Sequence, residues 1–167
     1  SKHRFSDIWI DGFEKNFFIT MSNRGCTFDN CLSTNAVIGY EYSTDTTLSN
    51  CGASYCTSYG YRGYNNNQLI NCKAFQCTGC YSVTGSNNLL NVHVQESTNG
   101  FYVVGDNNII NANVDMMNVA QTTDSRVITH DGSYNMFNLN VDNTNGDLTR
   151  IISNNQAELN DSPLTDK

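Results

Sequence analysis

One short phrase, an apolar lead followed by asparagine and a small apolar residue, returns along this chain at steps of roughly 20 residues, a period that marks stacked structural repeats. It reads Phe28-Asp29-Asn30-Cys31, Leu48-Ser49-Asn50-Cys51, Leu69-Ile70-Asn71-Cys72, Leu89-Leu90-Asn91-Val92, Ile109-Ile110-Asn111-Ala112 and Met136-Phe137-Asn138-Leu139. Only the last step is longer, at about 27 residues. A unit this short cannot bury an apolar face alone, so its neighbours must stack upon it.

What lies between the phrases fixes the type of stack. Each later phrase follows a turn signal: Asn65-Asn66-Asn67, Gly85-Ser86-Asn87-Asn88, Gly105-Asp106-Asn107-Asn108 and Gly132-Ser133-Tyr134-Asn135, with Ser153-Asn154-Asn155 as one more. Gly, Asn and Asp tolerate positive φ and bond to their own backbone, which suits them to corners. After each asparagine the chain alternates, as in Asn91-Val92-His93-Val94, which is the period of a strand. No segment shows helical periodicity. The single proline, Pro163, lies near the C-terminus, as expected where almost every backbone N–H serves a ladder.

Rival repeats of similar size fail on composition. Leucine-rich repeats need several leucines per unit and a helical return, calcium-binding β-rolls need Gly-Gly-x-Gly-x-Asp nonapeptides, and ice-binding solenoids need a Thr-x-Thr column. The expected fold is therefore all-β: a single-stranded right-handed parallel β-helix, a solenoid of coils of about 20 residues. Residues 1–155 would form about seven coils, with an insertion loop at 120–126, and residues 156–167 would form a polar C-terminal exit segment. Leader-free and without an initiator methionine, the chain is expected to begin inside a longer polypeptide.

Stacking makes columns readable. Asn30, Asn50, Asn71, Asn91, Asn111 and Asn138 form an expected asparagine ladder, since a primary amide both donates and accepts along the axis. Cys31, Cys51, Cys72, Val92, Ala112 and Leu139 follow as an inward column. Ala36, Cys56, Cys77, Ser97, Met117 and Thr144 form another. Gly39, Gly60, Gly79 and Gly100 are read as a second bend, followed by an aromatic column of Tyr40, Tyr61, Tyr81 and Phe101 or Tyr102. Three readings of those rings stay open: an outward saccharide platform at Tyr61, Tyr81 and Tyr102, a subunit interface, or core.

The seven cysteines are odd in number and mostly absorbed by the inward columns. They are read as buried free thiols rather than zinc ligands or disulfides, which implies assembly in a reducing compartment. No metal site and no cofactor motif is evident. Nine basic against 16 acidic residues leave a formal charge of −7, which opposes nucleic acid, and no apolar run is long enough for membrane insertion.

Catalytic candidates are few. A glycan hydrolase needs two carboxylates across a groove, and Glu96 and Asp115 fall one coil apart. The densest polar cluster lies where the period breaks: Asp124, His130 and Asp131 as catalytic candidates, and Arg126 as a ligand-binding one, because insertions on a rigid scaffold carry function. His3 and His93 read as surface or satisfied residues.

The Asn-x-x-x-Asn repeats with Gly-Ser-Asn-Asn and Gly-Asp-Asn-Asn turns, opening with Phe5-Ser6-Asp7-Ile8-Trp9-Ile10-Asp11-Gly12-Phe13, resemble the right-handed β-helices of pectate-lyase-like proteins. Within that superfamily the chain most resembles tailspikes and neck appendages of tailed bacteriophages, over residues 5 to about 155. The resemblance implies a homotrimer, attachment to a host cell-surface polysaccharide, folding in the host cytoplasm and residence in the virion as part of a longer spike. It also implies two alternatives: a polysaccharide lyase or hydrolase module, and a C-terminal trimerisation or autochaperone segment released by self-cleavage, for which Ser6-Asp7 is a scissile candidate.

Overall fold

The computed structural model describes residues 3–19, 25–115, 126–142 and 151–154. All of its regular elements are strands, and every strand pair is parallel. The chain is a parallel β-solenoid. Its first three coils each carry three short strands: β1 (His3–Ser6), β2 (Trp9–Asp11) and β3 (Lys15–Ile19); β4 (Cys26–Asp29), β5 (Leu32–Thr34) and β6 (Ile38–Tyr42); β7 (Thr47–Ser49), β8 (Gly52–Ser54) and β9 (Tyr59–Gly63). Later coils carry two: β10 (Gln68–Phe75) with β11 (Gly79–Val83), β12 (Leu89–Gln95) with β13 (Asn99–Val104), β14 (Ile109–Asp115) with β15 (Arg126–Asp131), and β16 (Met136–Asp142) with β17 (Ile151–Asn154).

The change from three strands to two happens at one column. Asn30, Asn50 and Asn71 have φ of 53°, 55° and 53°, so each turns a sharp corner. β10 pairs with β7 on one side of Asn71 and with β8 on the other, its register slipping between Ile70 and Cys72. From Asn91 onward the same column runs straight through the strand. Val92 and Val94 follow Asn91 where cysteines followed the cornered amides, and β-branched residues favour extended backbone.

Two further corners are also built from positive φ. One runs through Asn35, Tyr55, Gln76 and Glu96 (53°, 57°, 50° and 49°), the other through Asp45, Asn66, Asn87, Asn107 and Tyr134 (57°, 57°, 61°, 57° and 58°). Left-handed backbone is tolerated best by asparagine and aspartate among residues with a Cβ. Seven asparagines, at positions 30, 35, 50, 66, 71, 87 and 107, take this conformation. The second bend expected at Gly39, Gly60, Gly79 and Gly100 is not there: these glycines lie within β6, β9, β11 and β13, and the chain bends at the Asn35 to Glu96 column instead.

The core is a set of vertical columns. Phe28, Leu48, Leu69, Leu90, Ile110 and Phe137 stack in register, each at most 4% exposed. Cys31, Cys51 and Cys72 form the expected inward column, and Ala36, Cys56, Cys77 and Ser97 a second, all buried; Met117 and Thr144, assigned to the same column, lie outside the described residues. All seven cysteines are buried free thiols, and burial pushes the Cys80 thiol well above its ordinary pKa.

The long step has a definite location. β12 and β14 still pair at the ordinary spacing, with Gln95 opposite Asp115, whereas Asn99 of β13 pairs with Arg126 of β15. The extra residues therefore fall between Asp115 and Arg126, and the ladder beyond them resumes without a shift.

Candidate functional site

Of the residues singled out around the insertion, the structure describes the side chains of His130 and Asp131. Asp124 lies outside the described residues, and of Arg126 only the backbone, at the start of β15, is described. His130 and Asp131 are consecutive in β15 and point to opposite faces, as strand geometry requires. His130 is 2% exposed, with its ring 5.3 Å from that of Phe137 and neither nitrogen hydrogen-bonded. Burial depresses its pKa, and the neighbouring Asp131 charge opposes that only in part. Asp131 is exposed.

The aromatic column resolves to core. Phe17, Tyr40, Tyr61, Tyr81 and Phe101 stack at ring separations of 4.5, 4.9, 4.9 and 5.2 Å, their planes nearly parallel and all buried. Their hydroxyls donate to main-chain carbonyls across the interior: Tyr40 to Cys31, Tyr61 to Cys51 and Lys73, Tyr81 to Cys72 and His93. Tyr61 and Tyr81 therefore cannot be an outward ligand platform. The strand parity that aims Phe101 inward leaves Tyr102 outward, 41% exposed.

Ser6 ends β1 on the surface. Asp7 turns a corner with φ of 58°, and its carboxylate accepts the Asn30 side-chain amide at 2.6 Å. Asp7 thus begins the predicted asparagine column; the next amide, Asn50, donates instead to Asp29 Oδ1 at 3.2 Å, and beyond it Asn71 donates to Asn50 at 2.8 Å, Asn111 to Asn91 at 2.7 Å and Asn138 to Asn111 at 2.7 Å. These amides lie on the outside of the solenoid.

Glu96 leads to a groove on the solenoid's flank. A shallow depression of about 400 Å³ is lined by Leu32, Gly52, Ser54, Lys73, Phe75, Gln95 and Glu96. It exists because two outward columns run side by side: Trp9, Leu32, Gly52, Lys73 and His93 in one, Thr34, Ser54, Phe75, Gln95 and Asp115 in the other. Gly52 has no side chain and leaves the gap; a Cβ there would sit 2.9 Å from Leu32 Cδ1.

The groove carries an aromatic floor and mixed polar walls. The Phe75 ring meets Tyr55 edge-on at 5.6 Å, and Lys73 Nζ lies 5.6 Å above the Phe75 centroid. Gln76 Nε2 donates to Glu96 Oε2 at 2.8 Å and fixes that carboxylate at the rim. Asp115 sits beside Gln95, one coil on, and its carbonyl accepts the Glu96 N–H at 2.8 Å. Such a surface can seat an apolar ligand face against Phe75, which Tyr55 buttresses edge-on from outside the groove, while Glu96, Gln95, Ser54 and Lys73 meet its polar edge. Among its described lining residues Glu96 is the sole carboxylate, whereas glycoside hydrolysis ordinarily takes a facing pair.

Lys73 and Phe75 were not picked out by the sequence reading. They lie one and three residues beyond Cys72 on the strand face opposite the core column, so extending the columns outward would have found them. Comparison of the chain with protein-family models, curated proteins and solved structures finds no match. Fold and groove together define a parallel β-solenoid with a lateral aromatic and polar cleft.

Proposed function

We propose that this chain is a host-attachment segment of a tailed-bacteriophage tailspike or neck appendage, working as a homotrimer in the virion and holding a cell-surface polysaccharide. The observation that carries the reading is the flank groove, where Phe75 offers an apolar surface beside Glu96, Gln95 and Lys73. Sugars present just such a combination, an apolar ring face edged with hydroxyls. A groove on the flank of a rigid rod also leaves room for a long polymer to extend past it. With a net charge of −7, the chain favours neutral over anionic glycans.

Binding to an array of bacterial surface glycans tests this directly. The unaltered chain is expected to retain a neutral polysaccharide without releasing shorter sugars, and Phe75→Ala and Glu96→Gln are each expected to weaken retention about tenfold or more with unchanged thermal melting. Absence of binding across the array, or binding that both variants keep, overturns the reading. Release of oligosaccharides would instead assign the chain to the lyase or hydrolase class.

A further inference from the structure

We propose that the end face of the first coil, formed by β1, β2 and β3, is a docking surface for one further parallel β-coil supplied by another polypeptide segment. The interface is already present many times within the molecule. Every later described coil has its strands paired on the side that faces back toward β1. In the first coil, β1 pairs only with β4, β2 only with β5 and β3 only with β6. The opposite edges of all three carry backbone groups with no ladder partner among the described residues.

Side chains tell the same story by comparison down one column. Phe5, Phe28 and Leu48 are in register and point the same way, yet they are 40%, 3% and 0% exposed. Phe5 differs only in having a coil on one side instead of two. Around it Ile8, Ile10, Phe17, Ile19 and Phe28 line an apolar mouth of about 530 Å³. Phe18, 56% exposed, borders the same mouth.

The chemistry of the occupant follows from the edges. Extended N–H and C=O groups at a free edge are matched by another strand and not by a helix, whose backbone groups are already bonded to each other, and continuing the coil stack makes that strand parallel, as at every described coil step. Edges of this kind are usually blunted by a proline, a bulge or a free lysine. β1 to β3 contain no proline, and Lys15 is drawn onto Glu41 at 2.6 Å. The occupant is therefore an extended segment with an apolar residue over Phe5 and a flat side chain over Phe17. A second copy stacked head to tail would build an open filament of like-charged units, which symmetry and charge both disfavour.

The test extends the chain with a duplicate of its own second coil ahead of β1. Backbone amides of β1 to β3 should then exchange about tenfold more slowly or better, and fluorescence of a bound apolar dye should fall. An extension of equal length and apolarity designed as a helix should do neither. Phe5→Ser gives an independent measurement: it should cost the extended chain more stability than it costs the unaltered 167-residue chain, because only there is Phe5 enclosed. Equal losses, unchanged exchange or equal protection by the helix overturn the proposal. So does a concentration-dependent mass of the unaltered chain in which β1 to β3 become protected, since the occupant would then be a second copy.

Discussion

Asn108 holds Asn88 twice across a single coil step: its Oδ1 accepts the Asn88 backbone N–H at 3.0 Å and the Asn88 side-chain amide at 2.9 Å. Asn135 does the same for Asn108, at 2.9 and 3.0 Å, and Asn88 accepts the backbone N–H of Asn67 at 2.9 Å. These four residues are at most 4% exposed. The solenoid thus has two amide columns, one buried and continuous at a corner, the other on its surface.

The buried column should matter more to stability. Asn108→Leu strips the Asn88 N–H and the Gly85 carbonyl of their partner and should cost about 3 kcal/mol, because buried polar groups are left unsatisfied. Asn111→Ala removes an exposed bond to Asn91 and should cost under about 1 kcal/mol. Urea melts of the two variants make the comparison, and equal losses would contradict it.

Which asparagines go inside was hidden from the sequence for a physical reason. Both columns repeat with the coil, and an amide serves either environment, so periodicity alone cannot rank them. The distinguishing signal is the residue before: Asn66, Asn87 and Asn107 take positive φ, which turns the next side chain, Asn67, Asn88 or Asn108, into the core. The aromatic column had a similar ambiguity. Its period was plain, yet facing depends on strand parity, and a shift of one residue moves every ring from surface to core. Parallel stacking and the inward cysteines needed only the period, and they were legible. The depth of the flank groove was not, because it arises where Gly52 interrupts a column; its outward members Lys73 and Phe75 follow from the period only once strand parity is known.

The ring column predicts a graded response. Tyr61→Phe keeps the stack on Tyr40 and Tyr81 but removes the bonds to the Cys51 and Lys73 carbonyls. It should cost about 1 to 2 kcal/mol, and Tyr61→Ala about 3 to 5 kcal/mol through the cavity it leaves. Chemical denaturation followed by near-ultraviolet dichroism would check both. Similar losses would mean that the hydroxyl, and not the ring, sets the stability.

His130 should make the C-terminal coils sensitive to acid. Its folded pKa lies below the ordinary value of about 6.5 because burial disfavours the cation. Above that ordinary value both states are neutral and stability is complete. As the pH falls below it the unfolded chain binds the proton first, so stability declines until the pH passes the depressed folded value. Thermal melts at about pH 7.5 and pH 5.5 should show a drop that His130→Phe largely abolishes. A variant that keeps the full drop places its origin elsewhere.

A corner glycine should be hard to replace. Gly105 has φ of +133°, and a Cβ added there would lie 2.4 Å from the Gly85 carbonyl oxygen. Gly105→Ala should cost about 2 kcal/mol or more, since strained backbone and a main-chain clash coincide. Gly52→Ala, with open groove on one side and only the tip of Leu32 to displace, should leave the melting temperature almost unchanged while weakening any ligand held in the groove.

The seven thiols should be silent in the native state. All are buried, so an aromatic disulfide reagent should titrate them only after the protein is unfolded. Rapid reaction of any of them in native buffer would show that its coil opens readily.

The extra residues between Asp115 and Arg126 leave the pairing of β14 with β16 and of β13 with β15 in step on either side. The rod therefore possesses a splice point where added chain is invisible to its ladders. Variation there is free of the register constraint that holds the corner at Asn66, Asn87 and Asn107, so new specificities can be trialled at that site without rebuilding the shaft that carries them.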